Sequence, residues 1–110
     1  LATGSEVSIA IAAAETLESD GIKTQVVSMP CWELFEKQSQ DYKNSVLPPD
    51  VKARIGIEAA IGLGWEKWLG EKGVFIGMHT FGKSAPYKEL YTDFGITAEN
   101  IIAAVKGFNL

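Results

Sequence analysis

Apolar and polar positions along this chain switch repeatedly between helical and extended spacing. In GSEVSIAIAAAETLESDG, residues 4–21, apolar positions recur every three or four residues, which predicts a helix burying Val7, Ile11, Ala14 and Leu17. Thr3 or Ser5 is placed to cap it, Thr3 and Glu6 have capping-box spacing, and Asp20-Gly21 supplies a left-handed stop. Ahead of this helix, Leu-Ala-Thr reads as the end of a strand, so short that a longer natural chain is expected upstream. IKTQVVSM, 22–29, predicts a strand ended by Pro30, and the polar stretch 31–47 predicts short helical turns before Pro48-Pro49. VKARIGIE, 51–58, alternates Val51, Ala53, Ile55 and Ile57 with Lys52, Arg54 and Gly56, the period of a strand. Helical character returns around Trp65 to Leu69, GVFIGM (73–78) predicts the last, buried strand, and Pro86 opens a short helix containing Leu90 and Tyr91. Thr97 caps a final helix carrying Ile101, Ile102 and Val105.

Strands alternating with helices imply an α/β fold of three layers (α/β/α), around a mostly parallel open sheet of about four to five strands. The 110 residues suit one domain, with no internal repeat or linker. A formal charge of −4, with the cationic side chains spread out, argues against a nucleic-acid surface or an anionic membrane. Cys31 is the only cysteine and His79 the only histidine, which excludes an intrachain disulfide and a zinc site of Cys and His ligands within this chain. The run IAIAAA, Ile9 to Ala14, is too short to span a bilayer, and no basic segment precedes it. A cytoplasmic setting is the default expectation.

Residues Gly77 to Ser84, GMHTFGKS, match the phosphate-cradling pattern G-x-x-x-x-G-K-[ST], and a predicted strand precedes them. A small nucleotide-binding domain is therefore an alternative reading. That chemistry needs a helix starting at the Gly82-Lys83 step, whose free amides converge on the phosphates. Pro86 has no amide and biases Ala85 away from helical geometry, so the helix is expected to start too late. No strand ends in the aspartate that usually holds magnesium, and Met78 to Phe81 are bulky where an anion must approach the backbone.

Read as FGKSAP, the same stretch resembles the F-G-x-S-A-P segment near the end of transketolases. The resemblance runs in order along the chain: ATGSEV at the first strand-to-helix turn, VVSMP, FEKQ, SVLP, then IEA with a tryptophan and a glycine downstream. It closes with Phe94, Gly95, Thr97, Glu99 and Asn100. The chain thus resembles the C-terminal domain of a transketolase, residues 1–110, lacking its first strand or strands. The resemblance implies a parent homodimer that transfers two-carbon ketol units between sugar phosphates, in the pentose phosphate pathway. It also implies thiamine diphosphate and a divalent metal, Mg or Ca, held by the N-terminal domain, with the activating glutamate supplied by the middle domain of the other subunit. None of those motifs lies in this chain. No catalytic, cofactor-binding or metal residue is carried over, and the chain alone is expected to be inactive, with the rest of the transketolase as its partner. Apolar helix faces and unpaired strand edges predict poor solubility or self-association.

Several residues invite sharper readings. Cys31 and His79 each follow a predicted strand, where ligands gather in open α/β sheets, and could pair as nucleophile and base; the plain reading is two unrelated loop residues. Glu58, at a strand end, could act as a base or metal ligand, or accept hydrogen bonds from the following turn. Trp65 and Trp68 share a helix face that either packs in the core or covers a boundary with further domains, and Trp32 reads similarly. Thr3-Gly4-Ser5-Glu6 has the geometry of an anion site, unless Glu6 itself caps the turn.

Overall fold

The computed structural model of the chain describes residues 1–62, 64–78, 91–92 and 95–108. Helix α1 (Glu6–Ser19) spans the small apolar residues of the first segment. It ends as expected: Gly21, with φ of 86°, lets its amide reach the Glu18 carbonyl while that of Ile22 reaches Leu17, a Schellman closure. Its buried face differs from the expected one. Glu6, Ala10, Ala13 and Leu17 are buried, whereas Ile11 lies on the exposed side. With Ile9 to Ala14 entirely apolar, periodicity within the helix leaves the face open, and the approach to the sheet selects the smaller alanines. The proposed Thr3–Glu6 capping box is also replaced. Ser5 occupies the N-cap position without a side-chain cap bond, and the amides of Glu6 and Val7 turn back to the carbonyls of Thr3 and Gly4.

Helices α2 (Trp32–Glu36) and α3 (Gln40–Val46) account for the predicted helical turns; the Ser39 hydroxyl accepts from the Tyr42 amide to start α3. Strand β1 (Ile55–Ile61), helix α4 (Glu66–Leu69) and strand β2 (Val74–Met78) follow. Helix α5 (Ala98–Lys106) opens on Thr97, whose hydroxyl accepts from the Asn100 amide, as the sequence predicts. The helix expected from Pro86 falls outside the described residues, except that Tyr91 and Thr92 are helical.

Strands β1 and β2 pair in parallel, Ile55 opposite Val74 and Ile57 opposite Ile76, with an irregularity before Ile61 meets Met78. Ala2 forms parallel bridges to both Ser28 and Ile57. The sheet therefore runs in the order 22–29, 1–3, β1, β2. Among the described residues only β1 and β2 are continuous strands, fewer than the four or five expected. Leu1 to Thr3 give residues 22–29 too short a neighbour for a ladder, so that pairing is confined to one bridge.

Side chains alternate across this sheet and build two cores. Ala2, Val26, Ile55, Ile57, Ile76 and Met78 pack with α1 and α5 on one face. On the other, Leu1, Val27, Met29 and Phe75 pack with Trp32, Phe35, Trp65, Trp68 and Leu69. This is the expected three-layer α/β/α arrangement.

Strand β1 starts later than the alternation predicts, because Arg54 ties down the preceding turn. Its Nε donates to the Val51 carbonyl at 2.9 Å, Nη1 to Trp68 at 2.7 Å, and Nη2 to Pro48 at 2.8 Å and Leu47 at 3.3 Å. One planar cation thus joins the Pro48 turn to the end of α4. Replacing Arg54 by Ala is expected to lower stability by about 2–4 kcal/mol in urea unfolding. Lysine should recover little of it, since a point charge cannot reproduce the fork.

The Leu1 ammonium donates to the Ile55 carbonyl at 2.6 Å. Burial first, then the Arg54 charge, lowers its pKa from 8.0 to about 6. The folded chain binds fewer protons than the unfolded chain between those values, so stability should rise from pH 6 to pH 8 and be lost below the folded value. The rise should reach up to about 3 kcal/mol. N-terminal acetylation, which removes the titration, should abolish this slope in denaturation followed against pH.

Candidate functional site

The carboxyl edge of a parallel sheet is where ligand groups gather in this fold class. Among the described residues, each face of it carries one carboxylate that is hydrogen-bonded to side chains of the domain itself.

On the α1 face, Glu6 is 4% exposed at the first turn of the helix, where a negative group meets the positive end of the helix dipole. Its Oε1 accepts from the Ser5 hydroxyl at 3.1 Å and from the Tyr91 hydroxyl, and the two hydroxyls lie 3.0 Å apart. Gly4, with φ of 60°, brings the turn round so that a Cβ there would stand 3.8 Å from Glu6 Oε2. The place an external anion would take is filled by the chain's own carboxylate. Sequence reasoning anticipated a negative group at this turn, but as a cap; its partners are instead the hydroxyls of Ser5 and of Tyr91, which is 85 residues away.

On the other face, Glu58 accepts the indole N–H of Trp65 at 2.7 Å. This corrects the expectation that Glu58 serves the amides of the following turn: the Gly64 amide goes to Glu66 Oε2 instead, at 3.1 Å. Trp65 is 0% and Trp68 7% exposed, so both are core residues and do not cover an outer boundary. Trp32 meets Trp65 edge-on at 5.0 Å, and Phe35 meets Trp68 at 5.2 Å. Glu58 therefore anchors a buried ring and is not a free base.

Cys31 is half-buried at the N-cap position of α2, and its Sγ donates to Glu33 Oε2 at 3.3 Å. The Glu33 carboxyl is held below its ordinary value by its own backbone amide and then by this thiol. His79, the partner considered for Cys31, lies outside the described residues, as do Lys83, Ser84 and Pro86. Of the phosphate-loop pattern the described part is Gly77 and Met78, both inside β2. Among the described residues no cluster of three or more His, Cys, Asp or Glu side chains could hold a metal ion. No helix among them is long and apolar enough to cross a membrane.

Helices on both faces of a parallel sheet define a three-layer α/β domain. The chain belongs to the transketolase family: the model of the transketolase-like C-terminal domain matches residues 1–97. It is 55% identical over 108 residues to the chloroplastic transketolase-1 of Arabidopsis thaliana, covering 98% of this chain and 15% of that one. It is 56% identical over 104 residues to the transketolase of Sinorhizobium medicae, covering 94% of this chain and 15% of the relative. The transketolase of Leishmania mexicana superposes with a TM-score of 0.87 at 42% identity, over 99% of this chain and 16% of that one. A split-gene transketolase superposes at 0.68 with 26% identity, over 96% of this chain and 36% of that one. The chain thus spans about a sixth of the full-length relatives it matches, as part of the C-terminal domain of a transketolase. The family match gives the phosphate-loop alternative no support.

Replacing Glu58 by Leu strands a buried indole N–H and is expected to cost about 1–3 kcal/mol of stability. Gln, which keeps an acceptor, should cost under about 1 kcal/mol, and tryptophan fluorescence should shift only in the Leu variant.

Proposed function

We propose that this chain is a non-catalytic architectural part of a transketolase, an enzyme that transfers two-carbon ketol units between sugar phosphates using thiamine diphosphate and a divalent metal. The observation that carries this reading lies at the carboxyl edge: among the described residues Glu6 and Glu58 are each committed to holding an aromatic side chain. The split-gene relative supports it, because a chain containing a region like this one is described as an inactive β4 tetramer. The cofactor's own motifs are not in this sequence, so its binding and the carbanion chemistry it supplies fall to the other domains. What this chain contributes is packing and support of the homodimer. Leu34, 62% exposed on α2, and Tyr42 on α3 leave apolar surface available for those domains.

The 110-residue chain, assayed with thiamine diphosphate, magnesium, a ketose phosphate donor and an aldose phosphate acceptor, should show no turnover above buffer. Measurable ketol transfer would contradict the reading. In the whole enzyme, Glu58→Gln and Cys31→Ser should leave kcat/KM within about twofold, whereas a hundredfold loss would mark a direct part in the chemistry.

A further inference from the structure

Glu6 and Glu58 lie at the carboxyl edge of the sheet; the opposite, amino edge carries a group of cations. There β1 and β2 enter side by side, the Val74 amide donating to the Arg54 carbonyl at 2.9 Å. A cavity of about 490 Å³ opens between this edge, the end of α4 and the turn after α3. Its polar lining comes from Asn44, Lys52, Arg54, Glu71 and Lys72, and Pro49 and Val51 form an apolar flank.

The hydrogen-bonding capacity left open in this cavity is almost all donor. Lys52 and Lys72 are exposed and make no ion pair among the described residues, unlike Lys43, Lys67 and Lys106. The Asn44 side-chain oxygen accepts from Gln40 at 2.8 Å, which leaves its amide hydrogens to donate. Arg54 directs Nη1 to one carbonyl, that of Trp68, so the second hydrogen there has no acceptor among the described residues. Gly70, with φ of 75°, turns the chain, and the Gly73 amide returns to the Gly70 carbonyl. The two amides between them, of Glu71 and Lys72, bond to nothing among the described residues. Successive free amides in a turn form a concavity for anions. Glu71 is the single carboxylate of the lining, and three cations against it leave a positive surplus in a chain whose net charge is −4.

We propose that this cavity binds a small phosphate monoester with an apolar body. Such an ester carries about two negative charges at neutral pH, which neutralise the surplus, and its outer oxygens accept from the open donors. The volume exceeds what a phosphate group needs and falls in the range of small-ligand pockets. The organic part packs on Pro49 and on Val51, which is 48% exposed. Glu71 repels anions of higher charge, so diphosphates and triphosphates are disfavoured. Its place at the opposite edge makes this site independent of the architectural reading above.

The test is protection of lysines from acylation in the whole enzyme, read residue by residue by mass spectrometry. Phenyl phosphate should slow the labelling of Lys52 and Lys72 by about tenfold. Lys23 and Lys37, exposed and outside the cavity, should label as before. Inorganic phosphate should protect the same two lysines only at higher concentration, and phenol, or sodium chloride of matching ionic strength, should protect neither. Lys72→Gln should raise the phenyl phosphate concentration that half-protects Lys52 by about tenfold, and Lys72→Arg should restore it. Equal labelling with and without phenyl phosphate, protection by salt or phenol alone, or Lys52 and Lys72 already unreactive in the free enzyme would each overturn the proposal. Protection by inorganic phosphate at the same concentration as phenyl phosphate would overturn the apolar body.

Discussion

The indole of Trp65 lies against Gly56 of β1, and the layer on that side of the sheet is organised around this contact. A Cβ at Gly56 would come within 3.1 Å of Trp65 Cε3 and of both Leu69 methyl groups, so a side chain there would push the ring and the leucine outward by a few tenths of an ångström. Burying an aromatic ring of this size contributes on the order of 4–6 kcal/mol before entropy is charged against it. Trp32 edge-on, Phe75 at 5.9 Å and the Glu58 carboxylate then close around the ring. Gly64, with φ of 90°, reverses the chain close beside Trp32 so that the two tryptophans meet. A four-residue helix with this little backbone hydrogen bonding is held by its tryptophans, not by helical propensity.

The opposite face solves the same problem with small residues. Ala10 and Ala13 bring α1 close to the sheet, and α5 adds Ile101 beside it. Where the large residues of one face meet the small ones of the other, Leu1 to Thr3 supply the middle of the sheet, bridging Ser28 and Ile57 through Ala2. Polar groups at the carboxyl edge are used to fasten these layers: Glu6 binds Ser5 and Tyr91, Glu58 binds Trp65.

Much of this was legible before any coordinates. Asp20-Gly21 stops α1, Thr97 starts α5, and GVFIGM holds a strand, β2, because each rests on chemistry local to a few residues; the expected burial of that strand is only partial, since Val74 is exposed and only Gly77 is fully buried. The buried face of α1 was not legible, since a run of six apolar residues carries no periodic contrast. Nor was the start of β1, where the alternation from Val51 is regular but Arg54 bonds to four carbonyls and fixes the preceding residues as a turn. Trp65 and Trp68 had two readings at equal spacing, and only their burial against the sheet in the folded domain distinguishes them.

The sequence by itself determined the order of helices and strands, their caps and stops, and the family, because these depend on residue type and spacing along one segment. Tertiary structure alone decided which face of α1 is buried and that Glu58 and Tyr91 serve as structural hydrogen-bonding partners. Each of these depends on groups that are far apart in the chain and meet only when the sheet is assembled, so no local pattern encodes them.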